Sequence, residues 1–245
     1  MAAGRWLRAV GFVLMVSGVL AIAWALVVWR WQDPFTALYT LYEQRQLSGV
    51  YDRRARRFLD DQRAIRLRSQ PAGTRTAGRT NIGVARPLIR AEARAYRLDS
   101  HEGDPLGRIV VPRLGLSMIF VDGTSSASLE RGPGRDLQTS MPGEGHLVYI
   151  AGHRTTYLAP FANIDALERG DRITLRLPYA TFVYVVTRHI VVPAGDLAVL
   201  RPGHRELLAL QACHPRFFAT HRYIVYGRPV QVIPATKTGS TRRSS

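Results

Sequence analysis

The longest apolar run in the chain lies near its amino terminus. Residues 9–29 contain no charged side chain, and a helix of that length extends about 30 Å, enough to cross the hydrocarbon core of a bilayer. Tryptophan flanks the run on both sides, as it does at membrane interfaces, at Trp6, Trp24, Trp29 and Trp31. The pattern predicts one transmembrane helix over residues 9–29.

The charges around this run bear on its orientation. Arg5 and Arg8 favour a cytoplasmic location for residues 1–8 under the positive-inside rule, although Arg30 on the other side weakens that bias. We therefore expect a single-pass protein of the cell membrane whose remaining chain is extracytoplasmic. A cleaved signal peptide is the alternative, but the run is long for one and continues past its small residues.

A polar and basic stretch follows the apolar run. Residues 31–104 contain 14 Arg and 9 acidic residues, and four of these arginines lie within 51–57. Helical spacing within 36–68 predicts a partial helix, whereas the Gly, Thr and Arg content of 69–83 is typical of flexible chain. We interpret residues 30–105 as a basic extracytoplasmic linker, partly helical or disordered. Its arginine cluster is either a solvated spacer or a contact for anionic headgroups or wall polymer.

Short apolar segments separated by turns occupy residues 106–233. The segments rich in β-branched and aromatic residues predict strands over 107–111, 116–121, 146–151, 172–177, 181–192, 206–212 and 222–230. Short helices are expected over 125–131, 160–167 and 196–200. Many short strands of this kind predict a mainly β fold that closes, or nearly closes, into a barrel. Residues 234–245 are polar and basic and predict a disordered tail.

Composition narrows the possible partners and cofactors. The formal net charge of +16 over 245 residues would suit nucleic acid, anionic lipid or an acidic wall polymer. The basic residues are spread along the chain and form no concentrated patch, so we expect no nucleic-acid partner. A single cysteine excludes an internal disulfide, and no His/Cys cluster has zinc-ligand spacing. We expect neither a metal nor a cofactor.

The single cysteine, Cys213, ends the strand predicted over 206–212. A free cysteine is most often a small buried apolar residue, but Pro215 takes the chain out of the sheet at this point. The chain re-enters a strand at Arg222. If these strands are antiparallel neighbours, Cys213 and Arg222 face one pocket, and a guanidinium beside a thiol favours the nucleophilic thiolate.

A nucleophilic cysteine needs an acid–base partner, and the chain has seven histidines. His153 follows a strand-like run and Gly152, which permits a sharp exit from the sheet. His189 lies inside a predicted strand, which suits a structural role. The pattern alone favours His153 by a modest margin. Position 219 is alanine where a phosphatase loop would need arginine, and no second cysteine exists for dithiol redox chemistry.

Five motifs, in order, resemble those of the sortases, which are membrane-anchored cysteine transpeptidases of Gram-positive-type bacteria. They are the opening strand at 107–112, the histidine segment at 141–157, the Leu-x-x-Gly-Asp-x-Ile turn at 167–173, the cysteine box at 210–215 and Arg222. The Ala-Gly-His-Arg-Thr-Thr-Tyr run and the Cys-His-Pro triplet look most like class E, the housekeeping type of many actinobacteria. One departure is that Ala209 and Ala212 replace the threonines of the usual Thr-Leu-x-Thr-Cys box, which removes two hydroxyls from possible substrate contact.

The resemblance implies a sortase-like closed β-barrel of about eight strands with short helices, and it makes 106–233 the catalytic domain. It implies that Cys213 attacks the Thr-Gly carbonyl of an LPXTG- or LAXTG-like sorting signal on a secreted protein. His153 would transfer protons, and Arg222 would stabilise the oxyanion or hold the substrate backbone. An amine of a peptidoglycan precursor or a pilin would resolve the thioester. A thiol hydrolase of such signals, and a catalytically degenerate barrel that binds peptide or wall, are the alternatives.

Overall fold

The computed structural model describes residues 2–31, 34–69, 82–201, 203 and 205–235. Within these residues there are four α-helices: α1 (Ala2–Trp31), α2 (Pro34–Ser69), α3 (Ile82–Leu98) and α4 (Ser126–Arg131). Eight strands follow one another as β1 (Pro105–Val111), β2 (Leu116–Asp122), β3 (Gly134–Arg135), β4 (Leu147–Ala151), β5 (Arg172–Arg176), β6 (Ala180–Pro193), β7 (Leu207–His214) and β8 (His221–Pro234). Most of the predicted flexible stretch 69–83 and of the predicted tail 234–245 lies outside the described residues.

The strands close into one barrel, in the order β1-β2-β3-β4-β7-β8-β6-β5. The pairs β2–β3 and β4–β7 are parallel, and the other neighbours are antiparallel. The prediction of a mainly β fold that closes into a barrel of about eight strands is therefore confirmed. Strand β3 was not predicted, because its two residues follow a Gly-Pro turn and are ordered only by their neighbours in the barrel.

Alternation along the strands produces two apolar surfaces, one inside and one outside the barrel. Leu208, Leu210 and Ala212 of β7 point into the main core. Ala209, between them, points outward. There it joins a second cluster, which we call the outer floor and which consists of Leu147, Tyr149, Ala209, Ile224 and Tyr226. Val199 and Leu200 from the β6–β7 connection pack against this floor.

Helix α2 docks onto the barrel through Gln44. Its side-chain Oε1 accepts from Ile119 N at 2.7 Å, and its Nε2 donates to Ile119 O at 2.9 Å and to Arg131 O at 2.8 Å. The amide thus continues the hydrogen bonding of β2 beyond the short pairing with β3. Phe58 of α2 and Tyr96 of α3 are buried in the main core. The stretch predicted as a linker therefore includes two helices that belong to the folded body.

The apolar run predicted as a transmembrane helix lies within α1. Its stretch Arg5–Ala25 is long and apolar enough to cross a membrane, and none of it is buried against the rest of the protein. A signal sequence near an amino terminus can meet the same criteria of length and composition.

Candidate active site

Cys213 and Arg222 lie directly opposite each other on β7 and β8. Residues opposite each other in an antiparallel pair project from the same face of the sheet, with side chains about 5 Å apart. Because Ala212 and Tyr223 point into the core, Cys213 and Arg222 project from the outer face. Cys213 is half-buried. The predicted pairing of these two residues at adjacent strand ends is what the structure shows.

His153 leaves the sheet at the same rim, from the strand on the other side of β7. Strand β4 runs parallel to β7 with Ala151 opposite Gln211, and Gly152 N donates to Gln211 O at 3.0 Å. His153 is two residues beyond Ala151, just as Cys213 is two residues beyond Gln211. The three residues selected from the sequence therefore stand in the order His153, Cys213, Arg222 along one rim.

Only glycine fits at position 152, because the ring of Phe161 lies very close to the place where a Cβ would be. A Cβ at Gly152 would lie 2.6 Å from a ring carbon of Phe161, which is too short for any side chain. Phe161 N also donates to His153 O at 3.1 Å. The segment that follows β4 is therefore folded tightly back on itself, and the position of the His153 backbone is fixed.

The environment of His153 favours a neutral imidazole. Partial burial lowers the pKa of His153 below its usual value of 6.5, and the nearby negative charge of Glu130 opposes this by raising it. Within the described part of the chain, Nε2 of His153 is buried and has no hydrogen-bond partner. The ring lies 5.1 Å from the ring of Tyr157. A neutral ring with an unpartnered nitrogen is suited to exchange a proton with a substrate or a thiol.

Arg222 is held by the loop that connects β7 to β8. Its Nη1 donates to Ala219 O at 2.8 Å and to His221 O at 3.1 Å. These bonds fix one arm of the guanidinium on the loop backbone. Because the guanidinium is rigid and planar, its other N–H groups then have fixed positions and directions.

Arg154, which sequence reasoning did not select, ties the histidine segment to the cysteine strand. It is almost completely buried, and its Nη1 donates to His214 Nδ1 at 2.9 Å and to Cys213 O at 3.4 Å. Its Nη2 forms an ion pair with Asp165 at 2.7 Å. In the sequence it stands out only as the neighbour of His153 in the Ala-Gly-His-Arg-Thr-Thr-Tyr run, because His214 and Cys213 lie about sixty residues further along the chain.

The outer floor leads along β7 towards Cys213. Ala209 belongs to this floor, and Gln211 lies between it and Cys213 on the same face. Ala212 instead packs in the main core. The two alanines that replace the family's threonines thus differ: only Ala209 lies on the cysteine's face, and a hydroxyl at position 212 would face the interior.

Two of the other histidines, His146 and His189, make structural contacts. His189 lies inside β6, opposite Val225, as predicted, and stacks on the ring of Tyr223 at 5.3 Å. His146 Nδ1 lies 3.2 Å from Gly203 O. Among the described residues, no group of three or more His, Cys, Asp or Glu side chains could hold a metal ion.

The start of helix α2 contacts the segment that carries His153. Tyr157 N donates to Thr36 Oγ1 at 3.1 Å, and the rings of Tyr39 and Tyr157 meet edge to face at 6.4 Å. Thr40 Oγ1 donates to Glu130 O at 3.0 Å. The first two turns of α2 therefore lie beside the rim where His153, Cys213 and Arg222 meet.

Comparisons of the chain with a family model and with known proteins agree on one family. The sortase domain matches residues 109–230. Over 132 residues the chain is 31% identical to Sortase D of Bacillus subtilis, covering 52% of this chain and 65% of that protein. Over 151 residues it is 30% identical to Sortase SrtE1 of Streptomyces coelicolor, covering 55% of this chain and 43% of that protein. The chain thus spans less than two thirds of the length of either curated relative.

A solved structure extends the likeness to the fold. The crystal structure of Sortase E1 from Streptomyces coelicolor with a tripeptide in the active site aligns with a TM-score of 0.51 and 27% identity. The alignment covers 57% of this chain and 96% of that one.

Proposed function

Because the chain belongs to the sortase family through residues 109–230, we propose that it is a membrane-anchored cysteine transpeptidase. Its substrate is a secreted protein with an LPXTG- or LAXTG-like sorting signal, cleaved between Thr and Gly. The observation that carries this proposal is the alignment of His153, Cys213 and Arg222 on adjacent strands at one rim. Residues 106–233 form the catalytic domain.

The acyl transfer proceeds in two steps through a thioester. The Cys213 thiol gives its proton to the His153 imidazole, and its sulfur attacks the threonine carbonyl carbon. The C–N bond to glycine breaks, and imidazolium returns the proton to the departing amine. An incoming amine, from a peptidoglycan precursor or a pilin, then loses a proton to His153 and attacks the thioester. Collapse releases the thiolate, which recovers a proton from imidazolium.

Arg222 supplies positive charge where negative charge develops. The carbonyl oxygen of the substrate becomes an oxyanion in both steps, and a preorganised N–H donor stabilises it. The bonds from Arg222 to the loop carbonyls support this role, because they fix the guanidinium before substrate arrives. The same fork could hold the substrate backbone.

The outer floor supports binding of the apolar residues of the signal. It is an apolar surface on the same face as Cys213, partly covered by Val199 and Leu200. An extended peptide that approaches Cys213 along β7 would place its leading apolar side chains on this surface. The absence of a hydroxyl at Ala209 makes the floor more apolar than the usual threonine would.

The apolar helix supports anchoring at the membrane. We place residues 1–8 in the cytoplasm, residues 9–29 across the bilayer and the barrel outside, in accordance with Arg5 and Arg8. Protease added to intact cells should degrade the barrel and leave an amino-terminal fragment in the membrane. Release of the barrel into the medium would instead indicate a cleaved signal peptide.

Thioester trapping tests the activity. The purified chain is incubated with sorting-signal peptides, the Cys213 adduct is measured by mass spectrometry, and an amine is then added. A thioester that the amine converts to a new amide supports the transpeptidase. A thioester resolved only by water indicates a hydrolase, and the lack of any thioester indicates a binding barrel.

The matched control for this experiment is Cys213→Ala. The change removes little volume at a half-buried position and should leave the fold intact, as measured by circular dichroism. It should form no adduct and cleave no peptide. Cleavage by the Cys213→Ala variant would contradict the proposed nucleophile.

A further inference from the structure

Helix α2 presents an apolar face to solvent in its first turns. Leu38 and Tyr42 are 69% and 60% exposed, and Leu41 beside them is also exposed. At 100° per residue, Leu38, Tyr42 and Arg45 lie on one stripe. Nothing in the described part of the chain covers this stripe.

The same stripe becomes basic further along the helix. Arg45, Arg53 and Arg56 are exposed and lie within about 60° of Leu38 around the helix axis. Two exposed acidic residues, Asp52 and Asp60, also lie on this stripe and are outnumbered by the arginines. A face that is apolar at one end and rich in arginine along its length is typical of a helix that lies in a membrane interface.

The opposite face of α2 packs against the barrel. Thr40, Leu47 and Phe58 are buried, and Gln44 bonds to Ile119 and Arg131. Helix α2 therefore cannot rotate to bury Leu38 and Tyr42 against its own domain. The two faces are fixed, one towards the barrel and the other away from it.

The chain itself places this helix next to the membrane. Helix α1 ends at Trp31 and α2 begins at Pro34. Thr36, which bonds to Tyr157 in the His153 segment, is five residues from Trp31, a distance of at most about 17 Å in extended chain. With α1 in the bilayer, the start of α2 and the rim that carries His153 both lie within reach of the lipid surface.

We infer that the outward face of α2, formed by Leu38, Leu41, Tyr42, Arg45, Arg53 and Arg56, docks on the lipid interface of the membrane that α1 spans. This inference rests on the anchoring part of the proposed function. The apolar end of the face inserts among acyl chains near the headgroups, and its arginines contact anionic headgroups. Helix α2 is thereby a rigid spacer that holds the active-site rim at the bilayer surface.

Depth-dependent fluorescence quenching on the full chain tests this inference. Leu38→Cys and Leu137→Cys are each made in the Cys213→Ala background and labelled with the same small fluorophore. Leu137 is a matched control: it is a half-exposed leucine in the turn after β3, towards the rim opposite His153, since Asp136 N donates to Tyr149 O and Ser140 N to Leu147 O. The chains are reconstituted into vesicles of phosphatidylcholine and phosphatidylglycerol that contain shallow spin-labelled lipid.

The inference requires that the spin-labelled lipid quench the Leu38 label several-fold more strongly than the Leu137 label. Equal, weak quenching at both positions would overturn it, whether the Leu38 label stays in water or is covered by a second copy of the chain. Flotation of the vesicles separates this failure from failure of the proposed anchor. Chains that float with lipid but show no quenching at Leu38 refute the docking alone, and chains that do not float refute the anchor and the docking together.

Discussion

Arg154 donates a hydrogen bond to His214 Nδ1 at 2.9 Å and so joins two segments that are sixty residues apart. One segment carries His153 and the other ends β7 at Cys213. The guanidinium also lies 5.8 Å from the ring centre of Tyr223. A buried charge with these partners fixes the His153 segment relative to the end of β7, where we propose the acid–base residue and the nucleophile.

Replacing Arg154 with methionine should therefore impair turnover more than substrate binding. The change leaves His214 and the backbone carbonyls without their buried donor, at a cost of about 1–3 kcal/mol in the free energy of unfolding. We expect kcat for peptide cleavage to fall sharply while KM changes little, because a small misplacement of reacting groups is costly. Asp165→Asn is the control: its half-exposed carboxylate should contribute far less. Equal losses in the two variants would contradict a positioning role for Arg154.

The contrast between Arg154 and His153 shows what the sequence can reveal. Strand alternation, a proline exit and family motifs selected His153, Cys213 and Arg222, because each stands at the end of a recognisable apolar run. Arg154 differs because its function depends on partners brought close only by the parallel pairing of β4 and β7. A pattern confined to neighbouring residues cannot show that pairing.

The basic stretch before the barrel shows the same limit. Arg54 belongs to the arginine cluster that the sequence predicts to be either a solvated spacer or a contact for headgroups or wall polymer. In the structure it instead forms ion pairs with Asp99 and Asp104 within the folded body. Its neighbours Arg53, Arg56 and Arg57 are exposed. Helix α3 was not identified because Pro87 interrupts its pattern and because its buried face, with Ala93 and Tyr96, is defined only by contact with the barrel.

Arg222→Lys should lose most activity while the fold is retained. A lysine ammonium can contact either the loop carbonyls or the substrate oxyanion. It lacks the rigid guanidinium fork, which can contact both at once. Loss of one oxyanion donor typically lowers kcat by about 10²-fold or more. Arg228→Lys, an exposed change on the same strand, provides the matched control and should retain normal kinetics. Near-normal kcat/KM in Arg222→Lys would assign the arginine to loop structure alone.

Gln44→Ala should loosen helix α2 from the barrel. The change removes three hydrogen bonds and leaves both backbone groups of Ile119 unpaired, a loss of about 1–3 kcal/mol. Gln46→Ala, at an exposed site on the same helix, should be neutral or slightly stabilising, since alanine is the better helix former. Urea unfolding and hydrogen exchange at the Ile119 amide measure the difference. Unchanged protection of that amide in Gln44→Ala would show that other contacts hold the helix.

Glu130→Gln should shift the acid limb of the pH–activity profile to lower pH. Burial already lowers the pKa of His153 below 6.5, and the charge of Glu130 partly restores it, so removing that charge lowers the pKa further. If neutral imidazole accepts the thiol proton, His153 of the variant stays neutral, and therefore active as a base, at more acidic pH. The pH dependence of kcat/KM reports this change for the free enzyme. Because the folded state binds the His153 proton more weakly than the unfolded state does, this group also makes the protein less stable as pH falls from 6.5 towards the folded pKa.

Glu168→Gln is the control for the pH–activity profile. It removes an exposed carboxylate that has no part in the pKa shift of His153, and it should leave the profile unchanged. An unmoved acid limb together with an alkaline limb shifted to lower pH in Glu130→Gln would mean that the active form needs the imidazolium, and the first proton transfer would have to be rewritten.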